Sequence, residues 1–333
     1  MRSQAGMESA VLSFITSCVT GVLAAPWIIK QLKKFKLGQF VRDDGPSTHL
    51  SKQGTPSMGG IIMAAGVAVS VALFVPFTVA MSTSRVKGTN NATDTATAAG
   101  FAAIGLVDDY LKIRHKRSLG LKGRFKFLGQ LVFAGALAWY AYSTYGGDLK
   151  VPFVSAPISL GWLYIPFAMF IVIGAANGMN FADGVDGLAA GAAAASIGAY
   201  GVIAFLCMQE DMTALSAAFV GSCLAFLVFN SHPALVFMGD TGSLGLGGIL
   251  GALAVLTHNE LLLAVIGALY AVEVLSSVIQ VYYIRKLKRR LFKMAPIHHH
   301  FELLGYPEAH VAAGFWIASF ICGALGILVF IRG

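Results

Sequence analysis

The apolar stretch VLSFITSCVTGVLAAPWII, residues 11–29, indicates how this chain folds. It carries no charge, and an apolar stretch of roughly 18 or more residues is long enough for a helix to cross a bilayer. Arg2 precedes it, and Lys30, Lys33 and Lys34 follow it directly. These flanks are typical of an uncleaved first membrane span rather than of a signal peptide.

Similar apolar stretches recur along nearly the whole chain. The predicted spans are approximately 10–30, 57–81, 92–110, 127–145, 160–179, 188–207, 212–230, 241–257, 260–284 and 311–331. Of the 333 residues, 56% are hydrophobic and only 12% charged, whereas soluble domains carry about 25% charged residues. No internal repeat or linker divides the chain. The sequence therefore predicts an all-α polytopic membrane protein with about ten transmembrane helices in a single domain, residues 1–333.

The distribution of lysine and arginine predicts the orientation. Most of the 24 basic residues lie in the loops after the first, third and ninth spans. The opposite side has only Arg2, Arg85, Lys87, Lys150 and Arg332. By the positive-inside rule the basic side is cytoplasmic, so both termini are expected on the extracytoplasmic side. The net charge of +8 suits contact with anionic lipids. Nucleic acid is not an expected partner, because the basic residues are dispersed over short loops.

Most acidic residues fall on this same cytoplasmic face. They are Asp43, Asp44, Asp108, Asp109, Asp183, Asp186, Asp240, Glu302 and Glu308. A transporter or proton pump would place acids near mid-span, and here only Glu273 is clearly intramembrane. Ser276, Ser277 and Gln280 share its helix face, so we expect this polar stripe to form hydrogen bonds with neighbouring helices.

Three acidic motifs stand at span ends: GLVDDYLK (105–112), NGMNFADGVDGLAAG (177–191) and FNSHPALVFMGDTGS (229–243). Taken one at a time, each motif has a structural interpretation: the first as a solvated helix end, the second as a turn and the third as a helix start capped by Asp240. Together, they offer the hard oxygen ligands that Mg²⁺ takes, glycines that let backbone approach phosphate, and a helix start that can bind anions. With lysines and arginines nearby, this combination predicts phosphoryl-transfer chemistry at a membrane surface.

A fourth motif, APIHHHFELLG (295–305), contains three consecutive histidines. Adjacent side chains on a helix point in different directions, so the three are not expected to bind one ion. A zinc site would need His49, His115 or His232 as additional ligands. Hydrogen bonds from imidazole to phosphate or sugar oxygens suit the neighbourhood better.

These motifs, with GQFVRDDGPSTHLSKQGTPSMGG (38–60) and KRRLFKMAPIHHHFELLG (288–305), resemble the polyprenyl-phosphate N-acetylhexosamine-1-phosphate transferase superfamily. The GTPSMGG and HHHFE segments favour its phospho-N-acetylmuramoyl-pentapeptide-transferase branch, the MraY translocases, and the match runs from about residue 20 to the end. The resemblance implies ten transmembrane helices in the bacterial cytoplasmic membrane and a Mg²⁺-dependent reaction. UDP-N-acetylmuramoyl-pentapeptide and undecaprenyl phosphate would give lipid I and UMP. It also implies a homodimer and sensitivity to nucleoside inhibitors.

The resemblance further implies roles for individual residues. The residues that match catalytic positions are Asp108, Asp109, Asp240, Lys126 and His299. Those that match metal ligands are Asp240 and Asp109. Those that match substrate-binding positions are Lys52, Asn180, Asp183, Gly184, Val185, Asp186, Asn230, Phe237, His298 and His300. Phe237 would stack on uracil, and the histidines would lie over the sugar and peptide. Of Asp108 and Asp109, Asp108 is the better match for deprotonating or orienting the lipid phosphate and Asp109 for a position nearer the metal, and spacing does not decide between them. Val185 stands where leucine is common in the family.

Three alternatives are kept. A sister enzyme would transfer N-acetylglucosamine-1-phosphate from its UDP sugar to the same lipid. A transporter would need acids nearer to mid-span than most of those present. A non-catalytic membrane scaffold would have no need for three acidic motifs on one face.

Overall fold

The computed structural model describes residues 2–35, 52, 54–81, 91–115 and 120–333. Within this part of the chain, the helices are α1 (Arg2–Lys34), α2 (Gly60–Met81), α3 (Asn91–Arg114), α4 (Gly123–Tyr145), α5 (Tyr164–Ala182), α6 (Leu188–Leu206), α7 (Glu210–Asn230), α8 (Gly239–Leu256), α9 (Leu263–Ile266), α10 (Ala268–Leu287), α11 (Ile297–Leu303) and α12 (Glu308–Arg332). Two short antiparallel strands, β1 (Asp148–Leu149) and β2 (Ile158–Ser159), follow α4. Asp43, Asp44 and His49 lie outside the described residues.

Each predicted span coincides with a helix, and the all-α, multi-pass class is confirmed. Six helices of the described residues are long and apolar enough to cross a bilayer, and a seventh is added if a bent pair counts as one span. In this pair, the segments Glu260–Ile266 and Ala268–Leu287 meet at an angle of 74°. The single span predicted over 260–284 is thus divided between two helical segments. Ten crossings and the extracytoplasmic position of both termini stay predictions.

Helix α8 lies at the centre of the bundle. Its residues from Thr241 to Leu256 are all buried, and it packs most extensively against α3 and α5. Glycines permit the closest approaches. A Cβ atom at Gly105 would lie 2.0 Å from the backbone oxygen of Asp240, and one at Gly60 would lie 2.3 Å from the backbone nitrogen of Gly242. The start of α8 is therefore held directly against α3 and α2.

The polar stripe of α10, predicted to form hydrogen bonds with neighbouring helices, bonds in the described residues mainly to the segment before α11 and within α10 itself. Glu273, Ser276 and Gln280 are buried. The Gln280 amide donates to the backbone oxygen of Phe292 at 3.0 Å and accepts from the backbone nitrogens of Leu291 and Phe292 at 3.1 and 3.0 Å. Gln280 thereby ties the segment before α11 to α10.

Candidate active site

Three carboxylates from two helices form what we call the acidic cluster. Asp108 and Asp109 lie near the end of α3, and Asp240 lies in the first turn of α8. One oxygen from each carboxylate lies within 4.8 Å of the others. The DD and GD motifs, which are far apart in sequence, thus meet as predicted.

Asp109 binds the start of α8. Its Oδ1 accepts from the backbone nitrogen of Asp240 at 3.1 Å, and its Oδ2 accepts from the backbone nitrogen and hydroxyl of Thr241 at 2.9 and 2.8 Å. The first N–H groups of a helix have no partner within the helix, and a negative charge there is stabilising. The alternative that Asp240 caps α8 is therefore wrong, because the capping carboxylate comes from α3.

Gly239 makes this arrangement possible. Its φ of +72° lies in the left-handed region, and a Cβ atom there would lie 2.6 Å from Asp109 Oδ2 and 2.9 Å from Ser57 Oγ. Any side chain would therefore strain the backbone and displace the carboxylate that holds Asp240.

Gly239→Ala is expected to lower both thermal stability and activity. The left-handed conformation alone costs alanine about 1–2 kcal/mol, and the displaced Asp109 adds to this. Melting temperature and initial rate of the detergent-purified protein measure the two effects. Gly123→Ala is the control, because a Cβ atom there meets nothing within 4 Å. Equal behaviour of the two variants would contradict the role given to Gly239.

Two lysines neutralise the acidic cluster. Lys112 Nζ lies 2.6 Å from Asp108 Oδ2, 3.1 Å from Asp240 Oδ1 and 3.6 Å from Asp109 Oδ1. Lys126 Nζ lies 2.5 Å from Asp240 Oδ2. Burial alone would lower the pKa of Lys112, but the three carboxylates outweigh it and raise this pKa above its ordinary value, so Lys112 stays charged. Lys112 was not among the predicted site residues, although its place one helical turn after Asp108 is a usable signal.

Asn180, near the end of α5, links this helix to the cluster. Its Nδ2 donates to Asp240 Oδ1 at 3.0 Å and to Ser243 Oγ at 2.8 Å. Asp108 Oδ1 accepts from the backbone nitrogen of Leu121 at 2.8 Å, just before α4. Elements α3, α4, α5 and α8 therefore all contribute to one site.

A second group of charged residues, the α12 cluster, consists of Lys52, Asp186, His232 and Glu308. Lys52 Nζ lies 2.8 Å from Asp186 Oδ1 and also pairs with Glu308 Oε1. His232 Nδ1 lies 3.1 Å from Asp186 Oδ2 and 3.3 Å from Glu308 Oε2. Lys52 and Asp186 were predicted site residues. His232 was considered only as a zinc ligand, and Glu308 only as one of the acids on this face.

Asn230 and Phe237 lie beside the α12 cluster. Asn230 Oδ1 accepts from the backbone nitrogen of Gly187 at 3.0 Å, and its Nδ2 donates to the backbone oxygen of Val236 at 2.9 Å. The backbone of Phe237 pairs with Pro56 and Gly59 at 2.8 Å each, and its side chain is half-buried. These bonds join the segments 183–187, 230–237 and 56–59 into one wall. Val185 is buried in the core behind it.

Asp183 lies between the two clusters. Its carboxylate makes no hydrogen bond or ion pair with the residues that the structure describes, and it keeps partial exposure to solvent. Burial raises the pKa of Asp183 well above its ordinary value, and the nearby charges of Asp240 and Asp109 raise it further.

The three histidines of α11 have separate partners. His298 is fully buried with Nδ1 3.0 Å from Glu273 Oε2. His299 Nδ1 lies 2.6 Å from Glu302 Oε2, and His300 Nδ1 accepts from the backbone nitrogen of Lys293 at 3.1 Å.

His298 also reaches the loop between α5 and α6. Its Nε2 has no hydrogen-bond partner among the described residues, and a Cβ atom at Gly184 would lie 2.3 Å from it. The contacts of His299 with Glu302 and of His300 with Lys293 do not place these two histidines beside either cluster.

Comparison with known proteins shows which family this chain is similar to. Residues 91–258 match the model of glycosyl transferase family 4, and residues 52–62 match phospho-N-acetylmuramoyl-pentapeptide-transferase signature 1. A phospho-N-acetylmuramoyl-pentapeptide-transferase of Desulfitobacterium hafniense is 41% identical over 98% of this chain and 99% of its own length. A protein of the same name from Desulforamulus reducens is 45% identical over 96% of this chain and 94% of its own length. One from Bacillus subtilis is 38% identical over 97% of this chain and 98% of its own length.

Proposed function

We propose an active site from the premise that this chain belongs to the phospho-N-acetylmuramoyl-pentapeptide-transferase family. The site consists of the acidic cluster and the loop 183–187. The enzyme is a membrane phosphoglycosyl transferase. It transfers phospho-N-acetylmuramoyl-pentapeptide from UDP-N-acetylmuramoyl-pentapeptide to undecaprenyl phosphate, giving lipid I and UMP. The observation that supports this site best is the meeting of Asp108, Asp109 and Asp240 with two lysines at one end of the bundle.

The chemistry requires charge neutralisation more than a strong base. An oxygen of undecaprenyl phosphate attacks the β-phosphorus of the donor and forms a P–O bond. The bond from this phosphorus to the bridging oxygen breaks, and UMP leaves with the electron pair. Because the attacking phosphate is largely ionised near neutral pH, catalysis consists mainly of positioning and electrostatic stabilisation. Lys112 and Lys126 supply positive charge next to the reacting phosphates.

Mg²⁺ is the proposed cofactor, and the acidic cluster fits it. Carboxylate oxygens are the ligands that this ion takes, usually one or two from protein together with substrate phosphates. We assign Asp240 as a ligand, with Asp109 as the second ligand predicted from the sequence. The bound ion would neutralise charge on the diphosphate and on the departing UMP.

The two acids of α3 have different surroundings, which supports different roles. Both Asp109 oxygens accept hydrogen bonds from the start of α8, so Asp109 also positions Asp240. Asp108 contacts Lys112 and the backbone before α4, and its carboxyl group lies beside that of Asp240 rather than against the backbone of α8. Asp108 is therefore our candidate for orienting or deprotonating the lipid phosphate.

The nucleotide half of the donor is assigned to the wall beside the α12 cluster. Phe237, which is half-buried, would stack on uracil, with Gly184, Val185, Asp186, Lys52 and Asn230 forming the surrounding pocket. Asn180 and Asp183 would bind near the phosphates and ribose. The unpartnered Nε2 of His298 would face the donor beyond Gly184, and His299 and His300 would cover its sugar and peptide.

The setting of the enzyme follows from the same family. We propose that it resides in the bacterial cytoplasmic membrane with the active site facing the cytoplasm, which agrees with the distribution of its basic residues. We also propose a homodimer and sensitivity to nucleoside inhibitors that occupy the uridine pocket.

UMP release by the purified protein tests this function. We expect release only when UDP-N-acetylmuramoyl-pentapeptide, undecaprenyl phosphate and Mg²⁺ are all present, and loss of release with EDTA. Release with UDP-N-acetylglucosamine instead would assign the chain to the sister branch. No release with either donor, from protein that is folded and dispersed in detergent, would refute the transferase assignment.

A further inference from the structure

Glu308 is a buried acid that links distant parts of the chain. It is the first residue of α12, and its side chain is only 8% exposed. Its Oε1 accepts from the backbone nitrogen of Asp186 at 2.8 Å and pairs with Lys52, while Oε2 lies 3.3 Å from His232. Burying a carboxylate is costly unless it is paired, and the three partners of Glu308 within the described residues lie beside the proposed uridine pocket.

The contacts of Asp186 show what Glu308 holds in place. Both carboxylate oxygens of Asp186 are engaged, Oδ1 by Lys52 at 2.8 Å and Oδ2 by His232 and the backbone nitrogen of Ala234 at 3.1 Å each. The Asp186 side chain is 2% exposed. Glu308 adds the bond to the backbone nitrogen, so Asp186 is held through both its side chain and its main chain.

Lys52 depends on Glu308 as well. Its ammonium group lies between two carboxylates, one from the loop 183–187 and one from α12. A long lysine side chain held from two sides loses most of its freedom before substrate binds, and such preorganisation improves binding. With Glu308 neutral, Lys52 keeps only Asp186 among its described acidic partners.

We propose that Glu308 is a positioning residue for the nucleotide half of the donor. It fixes Lys52 and the backbone of Asp186 from α12, and it acts on donor binding rather than on the phosphoryl-transfer step. This inference rests on the proposed function and adds to it a residue outside the predicted site.

The test is steady-state kinetics of Glu308→Gln, with UMP release as the signal. We expect the KM for UDP-N-acetylmuramoyl-pentapeptide and the UMP inhibition constant to rise on the order of tenfold, as for a lost hydrogen bond to a charged group. We expect kcat and the KM for undecaprenyl phosphate to change less than twofold. Glu308→Asp, which keeps the charge on a shorter side chain, should recover part of the donor affinity.

Glu210→Gln is the matched control, because Glu210 is likewise the first residue of a helix, α7. Both substitutions remove a negative charge from the start of a helix. If Glu210→Gln leaves the donor KM unchanged, the higher donor KM of Glu308→Gln is due to the contacts of Glu308. Equal changes of donor KM in both variants would overturn the proposal.

A double variant separates positioning from general folding damage. Because Glu308 acts partly through Lys52, Glu308→Gln combined with Lys52→Met should raise the donor KM by less than the product of the two single effects. Fully additive effects would overturn the role given to Lys52, and an unchanged donor KM in Glu308→Gln would overturn the whole inference. Absence of UMP release by the wild-type enzyme would instead refute the proposed function, so the two failures are distinguishable.

Discussion

Asp240→Asn is expected to reduce kcat by roughly 10²–10³-fold, the loss typical of one preorganised electrostatic group at a reaction centre. Asp240 contacts both Lys112 and Lys126 and accepts a hydrogen bond from Asn180. Asparagine keeps the shape of the side chain but removes the charge that would bind Mg²⁺. The measurement is the initial rate of UMP release at saturating substrates over a titration of Mg²⁺. We expect the half-saturating Mg²⁺ concentration to rise as well.

The fold should survive this substitution. Asp109 still binds the start of α8 in the variant, so the melting temperature in detergent should stay close to that of the wild type. Asp148→Asn makes the same chemical change on β1, outside both clusters, and should leave the rate unchanged. A fully active Asp240→Asn enzyme would show that the metal and charge assignment is wrong.

Asp109→Asn is expected to lower activity and stability together. The asparagine amide has one accepting oxygen, so one of the donors at the start of α8 would face an NH₂ group instead. Leaving a buried donor unpaired costs about 1–3 kcal/mol. The resulting shift of Asp240 should reduce kcat by on the order of 10²-fold, because catalysis is sensitive to displacements near 1 Å. Melting temperature and UMP release measure the two effects.

Excess Mg²⁺ distinguishes the two roles of Asp109. If its main role is to hold α8, high Mg²⁺ should restore neither the melting temperature nor the rate. A variant with the melting temperature of the wild type and a rate recovered by high Mg²⁺ would make Asp109 simply a metal ligand.

The helices were predictable because apolar length is a local property of the sequence. The windows at 188–207 and 241–257 match α6 and α8 closely. The bend beside Gly267 was missed, since the window 260–284 is apolar on average and averaging cannot register a change of direction. Likewise, α3 extends to Arg114, beyond its predicted end at residue 110, because a helix continues after its apolar part ends.

The site was predictable in its parts but not in its connections. The motifs indicated that Asp108, Asp109 and Asp240 act together, and the structure brings them within reach of one ion. No local pattern could show that Asp109 caps a helix whose start lies far along the chain. Glu308 was overlooked for the same reason. Its bond to Asp186 depends on the packing of α12 rather than on spacing, and a single acid before an apolar span looks like an ordinary boundary residue.

The central position of α8 also sets the order in which the enzyme matures during its biosynthesis. The helices that pack most extensively against α8 are α3, α5, α6 and α2, and all of them leave the ribosome earlier. Chains fold from the N-terminus as they are made, and membrane helices insert before they associate. The nascent chain therefore carries the acids of α3 before their partner exists. The arrival of α8 completes the acidic cluster, and Glu308 and the histidines of α11 join the donor-binding part of the site later.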